Sequence, residues 1–260
     1  MPKLIPLSET PSLLSPNDTL ALGGMTLYRR PVAFVRELLR APTRSAPHSL
    51  TLLAFTAGYE SDLLVGAGLV KRVRSCYFGL EAFGLAPMFT RAANLGDVEI
   101  VEETEASLAF GLRAALAGVG FMAGRGWLGT DMLSLRPDVK TITDPYNGET
   151  LVAYPAIQCD VAVIHALRAD VSGNAVIGGN PAMDVELAMS ARKTIITAEE
   201  IVDKLDRADI PGPAVTAVAH APRGAWPTSC HPLYPLGGGE FLKYIDACNS
   251  EQYEEYRREL

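Results

Sequence analysis

Glycine turns that could bind an anion recur along this sequence. They are Gly23-Gly24, Ala57-Gly58, Gly124-Arg125-Gly126 and Leu128-Gly129. Each is predicted at the carboxyl end of a strand, where ligands bind in open α/β sheets. Backbone N–H groups that point out of such turns can hold a carboxylate, a phosphate or a thioester oxygen. A tight turn with no ligand is the alternative at each position.

Two glutamates could carry acid, base or nucleophilic chemistry. Glu105 begins a predicted helix that precedes the last two glycine turns, and Glu102 and Glu103 come just before it. Such a density of negative charge favours a protonated carboxyl group when the groups lie close together and partly buried. Glu60 begins an earlier predicted helix. The helix dipole attracts acidic residues to this position, so a solvated helix N-terminus is the alternative for both.

Cations and one large aromatic side chain flank the same turns. Arg29, Arg30 and Arg125 could contact a substrate carboxylate or phosphate, or could be solvated surface charges. Trp127 could form one wall of a substrate pocket, or could anchor the glycine-rich loop that contains it.

The common nucleotide-binding and hydrolase motifs are absent. Gly23 and Gly24 are followed by the segment MTLYRRP, so the third glycine of a dinucleotide-binding turn is missing. The sequence also contains no GxxxxGK(S/T) phosphate loop and no GxSxG nucleophile elbow. Nicotinamide, nucleoside-triphosphate and serine-hydrolase chemistry are therefore disfavoured.

The spacing of cysteine and histidine predicts no metal site. The cysteines form no CxxC pair, and no two histidines have the spacing of a metal pair on one helix. These scattered residues are Cys76, Cys159, Cys230, Cys248, His48, His165, His220 and His231. Buried or incidental thiols are the expected interpretation.

Composition narrows the class of partner and the cellular location. The 260 residues are 48% hydrophobic and carry a net charge of -7, which opposes binding to nucleic acid and to anionic membranes. No stretch reaches about 18 apolar residues and the N-terminus lacks the apolar core of a signal peptide, so we expect a cytoplasmic protein. A mean hydropathy of +0.13 is slightly high for a monomer and leaves apolar surface for another subunit.

Alternating strand and helix patterns predict a single α/β domain over residues 1–260. Strands are predicted over 19–24, 49–55, 76–80, 98–103, 139–145, 149–157, 161–167, 193–199 and 213–221. Helices are predicted over 32–41, 60–73, 87–96, 105–116, 183–191 and 241–260. The five glycines of segment 118–129 predict a loop across the top of the sheet. The expected fold is an open, mainly parallel sheet with helices on both faces.

Several ordered segments resemble the family I coenzyme A transferases. The run TLALGGMTLYRRPVAFVRELLR (19–40) resembles that family's first signature, in which an apolar strand leads into a Gly-Gly-Phe turn and a proline. Met25 stands where the family usually has Phe, and Arg29 stands where many members have Gly. Segments 54–79, 154–179 and 210–230 are similar to the A subunit of glutaconate CoA-transferase and its relatives. The resemblance spans nearly the whole chain.

The resemblance implies a CoA-transferase/NagB-like fold and an A (alpha) subunit that works with a B (beta) subunit. In that family a glutamate of the B subunit opens the thioester of an acyl-CoA, passing through an acyl anhydride and a glutamyl-CoA thioester. Coenzyme A is then a substrate, and no cofactor is permanently bound. The Ser-Glu-Asn-Gly type turn that carries this glutamate is absent here, so this chain is expected to supply walls of the substrate site.

The resemblance also assigns roles to particular residues. In relatives that hydrolyse a cyclic CoA thioester during steroid ring degradation, a glutamate at the position of Glu105 is the catalytic acid or base. The residues expected to contact substrate are Gly23, Gly24, Met25, Arg30, Gly126, Trp127, Gly129 and Thr130. Transfer of CoA between an acyl-CoA and a small carboxylic acid is the expected reaction. Hydrolysis or decarboxylation of a CoA ester through Glu105 is the alternative, and a non-catalytic domain that binds a sugar phosphate is a third interpretation.

Overall fold

A computed structural model describes residues 3–40, 47–250 and 252–260. In chain order its strands are β1 (Thr19–Leu22), β2 (Leu50–Ala57), β3 (Val70–Phe78), β4 (Glu99–Glu102), β5 (Phe121–Gly124), β6 (Lys140–Thr143), β7 (Thr150–Pro155), β8 (Val161–Asp170), β9 (Ala175–Val176), β10 (Lys193–Val202) and β11 (Ala217–His220). Its α-helices are α1 (Val32–Arg40), α2 (Tyr59–Gly66), α3 (Pro87–Leu95), α4 (Glu105–Leu116), α5 (Met132–Leu135), α6 (Asp184–Ser190), α7 (Gly238–Asn249) and α8 (Tyr253–Arg258). Short 3-10 segments cover Leu7–Leu13, Glu81–Phe83 and Gly212–Ala214.

The large sheet has eight strands and is mainly parallel. Its order is β11-β10-β8-β1-β2-β3-β4, every neighbouring pair in this row is parallel, and β9 adds an antiparallel strand beside β8. The predicted fold class is therefore confirmed. The chain runs outward from β1 to β4 and then returns to the other side of β1 at β8. Because the direction of strand addition reverses between β1 and β8, a ligand crevice is expected at the carboxyl ends of these strands.

Helices cover both faces of this sheet, and α1 does so through an apolar stripe. Helix α1 buries Val32, Phe34, Val35 and Leu38, a spacing that places them on one side of a helix. They belong to a core that also includes α2, α7 and α8. On the opposite face α4 and α6 contribute to a second core. The two cores hold the carboxyl ends of the strands in a fixed row.

The predicted helix over 60–73 is wrong in its second half. Helix α2 ends at Gly66, and residues from Val70 onward belong to β3. Gly68 has a φ of +71°, a left-handed conformation that ends helices readily because glycine has no Cβ atom. The β-branched Val70 and Val73 then gain more from pairing with β2 than from a longer helix.

The predicted loop over 118–129 is also partly wrong, because residues 121–124 form β5. This strand pairs antiparallel with β7, and β7 pairs antiparallel with β6, giving a separate three-stranded sheet. The strands predicted over 139–145 and 149–157 exist, but they lie in this small sheet. Gly124 is suited to it since a Cβ atom there would lie 2.7 Å from Cε2 of Phe110, on α4.

The chain ends in two short helices where the sequence predicts one helix over 241–260. Ser250 is extended and separates α7 from α8, which lets Tyr253 and Tyr256 turn back into the core. Predicted helical residues 41 and 251 lie outside the described residues. None of the helices in the described ranges combines the length and apolar character that crossing a bilayer requires.

Candidate active site

The turn after β1 requires glycine at two successive positions. A Cβ atom on Gly23 would lie 2.5 Å from Cδ1 of Ile164 and 2.8 Å from Oδ1 of Asp184. Gly24 has a φ of +80°, and a Cβ atom there would lie 2.5 Å from the carbonyl oxygen of Arg29. Side chains are excluded by contact at both positions and by backbone conformation at the second. The turn therefore lets β1, β8 and α6 approach closely at the point where the strand order reverses.

The N–H groups of this turn donate within the chain. Gly23 N donates to a carbonyl oxygen of β8 at 2.9 Å, and Gly24 N donates to Oδ1 of Asp184 at 2.8 Å. Met25 N donates to the carbonyl oxygen of Tyr28 at 2.9 Å. The free N–H donors that the sequence predicts at Gly23 and Gly24 are thus occupied in this structure. Substrate contact through other atoms of this turn stays a prediction.

Arg29 and Arg30, predicted to meet substrate charges, are fully buried beneath the turn. Arg29 Nη1 lies 2.7 Å from Oδ2 of Asp184 and also donates to a carbonyl oxygen of β8. Arg30 donates to Oε1 of Glu60 at 2.6 Å and to the carbonyl oxygen of Gly24 at 2.8 Å. Both guanidinium groups therefore fix the turn from below, and direct contact between Arg30 and a substrate stays a prediction.

Glu60 is buried and its charge is compensated. Its Oε1 atom accepts hydrogen bonds from Arg30 Nη2 and from Ser61 Oγ, each at 2.6 Å. A nucleophile must reach the carbonyl carbon of an incoming thioester, and a fully buried carboxylate held by a guanidinium is screened from it. This geometry favours a role for Glu60 in holding the turn.

Glu105, in contrast, is exposed at the first position of α4, at the carboxyl end of β4. The helix begins there because Thr104 and Ser107 cap it reciprocally. Ser107 N donates to Oγ1 of Thr104 at 3.2 Å, and Thr104 N donates to Oγ of Ser107 at 2.8 Å. The positive end of the helix dipole also stabilises a carboxylate at this position. The start of α4 thus presents Glu105 on a rigid element.

The two glutamates before Glu105 do not act together as the sequence predicts. Glu103 is buried, and its Oε1 atom accepts from Arg74 Nε at 2.6 Å and from Arg136 Nη1 at 2.8 Å. The prediction that Glu103 adds to a dense negative charge is therefore wrong. Two arginines from remote segments compensate its charge. Glu102 is exposed to solvent.

A half-buried thiol on β3 lies near Glu105. The Sγ atom of Cys76 donates to the carbonyl oxygen of Phe55, on β2, at 2.8 Å. Burial, followed by the negative charge of Glu105, raises the pKa of Cys76 to about 11. The thiol is therefore protonated near neutral pH and is a weak nucleophile there. The sequence predicts only an incidental thiol here, because the strands that bring it to Glu105 are paired non-locally.

The loop after β5 wraps around the start of α4. Trp127 is 1% exposed, and its Nε1 donates to Oγ1 of Thr104 at 2.8 Å. Its ring packs edge-on against that of Tyr154, with the ring centroids 5.2 Å apart. A Cβ atom on Gly126 would lie 3.3 Å from that of Ala106, next to Glu105. These contacts fit the interpretation of Trp127 as a loop anchor better than that of an open pocket wall.

The remaining predicted residues lie at the exposed tip of this loop. Gly129 has a φ of +76°, and Thr130 Oγ1 donates to the carbonyl oxygen of Trp127 at 2.9 Å. Arg125 is exposed and pairs with Glu149, on the neighbouring hairpin. Gly129 and Thr130 are thus accessible, and their contact with substrate stays a prediction.

The predicted site residues form two groups along one edge of the sheet. The first group follows β1 and contains Gly23, Gly24, Met25 and Arg30, and the second surrounds the start of α4 and contains Glu105, Gly126, Trp127, Gly129 and Thr130. Three strand spacings of about 4.8 Å, about 14 Å in all, separate β1 from β4, the strands that the two groups follow.

Sequence reasoning missed two residues that position these groups. Asp184, on α6, accepts a hydrogen bond from Gly24 N and pairs with Arg29. Its position at a predicted helix start already accounts for an acidic residue there, so the sequence alone does not point to these partners. Thr104 both caps α4 and binds Trp127. Its T-x-x-S spacing before an apolar helix was a usable capping signal.

Comparisons with known proteins agree on one family. Residues 7–221 match the family model described as Coenzyme A transferase. The A subunit of 3-oxoadipate CoA-transferase from Pseudomonas knackmussii is 33% identical, over 90% of this chain and 84% of that protein. The Cholesterol ring-cleaving hydrolase IpdA subunit of Mycobacterium tuberculosis is 31% identical, over 94% of this chain and 88% of that protein.

Solved structures give the same result. The A subunit of glutaconate CoA-transferase from Acidaminococcus fermentans is 34% identical over 90% of this chain and 79% of that protein. The crystal structure of that transferase superposes with a TM-score of 0.89 over 99% of this chain and 88% of the other, at 29% identity. The decarboxylase AibA/AibB superposes with a TM-score of 0.92 over 99% and 98%, also at 29% identity. The chain therefore belongs to the coenzyme A transferase family and is of its A-subunit type.

Proposed function

We propose that this chain is the A subunit of a two-chain enzyme that moves CoA between an acyl-CoA and a small carboxylic acid. The observation that carries the proposal is the state of the carboxylates along the carboxyl edge. Glu60 and Glu103 are held in buried ion pairs, whereas Glu105 is exposed on a rigid helix start. A B subunit would supply the nucleophilic glutamate, and the active site would lie where the two chains meet.

In this proposal the chain contributes a preorganised wall. The glycine turn after β1 is held by buried ion pairs and the start of α4 by its cap, so little reorganisation would accompany the reaction. The substrate thioester would bind along the edge between the two groups. Either a heterodimer or a heterotetramer accommodates this arrangement, and the cytoplasmic location stays a prediction of the sequence.

Chemical trapping of the covalent intermediate tests the proposal. The complex with its B subunit is incubated with an acyl-CoA, and borohydride then reduces any glutamyl-CoA thioester at its carbonyl carbon. We expect peptide mass spectrometry to find the reduced glutamate in the B subunit, with none in this chain. A reduced residue at Glu60 or Glu105 would place the nucleophile here and refute the assignment.

Acceptor dependence supplies the second part of the test. 3-Oxoadipate and glutaconate, the acids named for the transferase relatives, are the first acceptors to add. Turnover of acyl-CoA should rise with acceptor concentration in a ping-pong pattern. Steady release of free CoA that no acceptor changes would exclude transfer.

A second function, hydrolysis or decarboxylation of a CoA ester, is favoured by one specific feature. Glu105 is an exposed carboxylate beside a half-buried thiol, and relatives of this chain are named as a decarboxylase and as part of a hydrolase. Here Glu105 would act as general acid or base, a contribution typically worth about 10²–10⁴-fold in rate.

Substitution of Glu105 separates the two functions. Glu105→Gln should lower the rate of a hydrolase or decarboxylase by about 10²-fold or more, and that of a transferase by less than about tenfold. Glu102→Gln is the matched control, because Glu102 is also exposed and ends the adjacent strand. Equal effects of the two substitutions would show that only local charge matters.

A further inference from the structure

We propose that His165, Glu199 and Cys230 form a binding site for a divalent transition-metal ion. The chemistry of these three ligands points to Zn²⁺. The three residues come from β8, from β10 and from the segment after β11. One ligand atom from each lies within 4.8 Å of the other two. The side chains of His165 and Glu199 are 0% and 8% exposed, and Cys230 is fully buried.

The donor set suits a borderline-soft cation. Imidazole nitrogen, thiolate sulfur and carboxylate oxygen are the protein ligands of zinc, at about 2.0–2.3 Å from the ion. Ligand atoms around a four-coordinate ion of that size are separated by about 3.5 Å. To reach that separation, His165 Nε2 and Oε1 of Glu199, now 2.8 Å apart, would have to open by about 0.7 Å, and a pair at the 4.8 Å limit would have to close by about 1.3 Å.

Neighbouring groups already aim the ligand atoms at one another. His165 Nε2 lies 2.8 Å from Oε1 of Glu199, while Nδ1 lies 2.9 Å from Oγ1 of Thr197. The other oxygen of Glu199 accepts from the backbone N–H of Arg223 at 2.6 Å. Such outer partners fix the orientation and tautomer of metal ligands. The Tyr234 hydroxyl also donates to Oε1 of Glu199 and so helps to orient that carboxylate.

Binding of a doubly charged ion to these ligands balances both the protons and the charge. On binding, the Cys230 S–H bond is replaced by a sulfur–metal bond and one proton is released to solvent. The imidazole proton moves to Nδ1, where it donates to Thr197, and Nε2 coordinates the ion. A thiolate, a carboxylate and a neutral imidazole around Zn²⁺ sum to zero charge, as a buried site requires. The nearby Arg29 adds no net charge because Asp184 pairs with it.

The site would stiffen the base of the β1 turn rather than take part in chemistry. Cys230 follows Ser229 in the chain. The N–H of Ser229 donates to the carbonyl oxygen of Leu27 at 2.9 Å, and its carbonyl oxygen accepts from Arg29 N at 2.7 Å. Arg29 Nη1 in turn donates to the carbonyl oxygen of His165 at 2.7 Å. A metal would therefore link β8, β10 and the segment that supports residues 27–29.

The test uses the complete enzyme, freed of metal by a chelator and dialysed. Added Co²⁺ should give the sulfur-to-cobalt charge-transfer absorption of a thiolate complex, and Zn²⁺ should abolish it with a stoichiometry of one per chain of this type. Cys230→Ser should remove the band and weaken Zn²⁺ binding by about 100-fold or more. Cys159→Ser is the matched control, since Cys159 is an equally buried thiol before β8.

A second variant guards against loss of fold. Glu199→Gln keeps a hydrogen-bonding side chain of the same size, and its metal-free thermal midpoint shows whether the chain is folded. We expect this variant to fold, to keep a weakened cobalt–sulfur band and to lose most of the Zn²⁺-dependent rise in thermal midpoint. The proposal is overturned if the wild-type enzyme gives no cobalt–sulfur band, or if Cys159→Ser weakens that band as much as Cys230→Ser does. Either result would show that these residues form only a hydrogen-bond network.

Discussion

Breaking the buried ion pair beneath the β1 turn should cost more stability than any surface charge. Arg30 and Glu60 are both 0% exposed, with Nη2 and Oε1 2.6 Å apart. Removing one partner of a buried pair typically costs about 3–5 kcal/mol, because the other charge is left in the interior. Glu60→Gln retains a polar acceptor and Arg30 keeps its bond to Gly24, so we expect the lower limit, about 3 kcal/mol.

Urea unfolding of the complex, followed by tryptophan fluorescence, measures this loss. Arg30→Met combined with Glu60→Leu should be less destabilised than the sum of the single variants, with a coupling of about 2–3 kcal/mol. The double variant should still lose about 1–3 kcal/mol, since the carbonyl oxygen of Gly24 is left without its buried donor.

The exposed pair Arg72 and Glu99, 2.8 Å apart, is the control. Glu99→Gln should change the free energy of unfolding by less than about 1 kcal/mol. The reasoning fails if Glu60→Gln leaves stability within about 0.5 kcal/mol of wild type and still lowers turnover by about 10⁴-fold or more. That result would mean that Glu60 carries chemistry and that its buried pairing does not hold the turn.

Three further perturbations test the electrostatics and the turn. Burial raises the pKa of Asp62 from 3.8 to about 6, so the stability this carboxyl confers is complete below pH 3.8 and is lost as pH rises through 6. Asp62→Asn should remove about 3 kcal/mol of pH dependence over that interval in urea titrations, and an unchanged slope would contradict it. Glu105→Gln should lower the pKa of Cys76 and speed its alkylation at pH 8, whereas Glu102→Gln, the control, should change it less. Gly24→Ala should cost about 3 kcal/mol of unfolding free energy, because a Cβ atom would meet a main-chain oxygen at 2.5 Å in a left-handed conformation. A stable, active alanine variant would show that the turn can relax.

Local patterns predicted those parts of the fold that local forces determine. Helix α4 spans Glu105–Leu116 as predicted, because its cap and its apolar stripe both lie within thirteen consecutive residues, 104–116. Strand β5 was missed since its glycine-rich segment becomes extended only by pairing with β7, about thirty residues later. The end of α2 was misplaced for a related reason, as pairing with β2 captures Val70.

The candidate site was predicted in position but not in detail. The glycine turn after β1 lies where the sequence places it, at the carboxyl end of a central strand. The state of its charges depends on partners far along the chain, such as Asp184, which is 160 positions from Gly24. A single sequence carries no signal that pairs these residues, so buried structural arginines are indistinguishable from substrate-binding ones.

Neutralisation of charge inside the chain determines what this edge can contribute to catalysis. A buried pair such as Arg29 with Asp184 holds backbone atoms in place before substrate arrives, which is the condition for electrostatic preorganisation. The same pairing prevents both groups from taking part directly in the chemistry. A group that turned towards a ligand would leave its partner's charge unpaired in the interior, which costs several kcal/mol. Glu105 escapes this constraint, since a capped helix start holds its backbone while its side chain remains in solvent. A nucleophile brought by a second subunit would therefore meet a wall of fixed shape, with Glu105 available to bind, orient or exchange a proton.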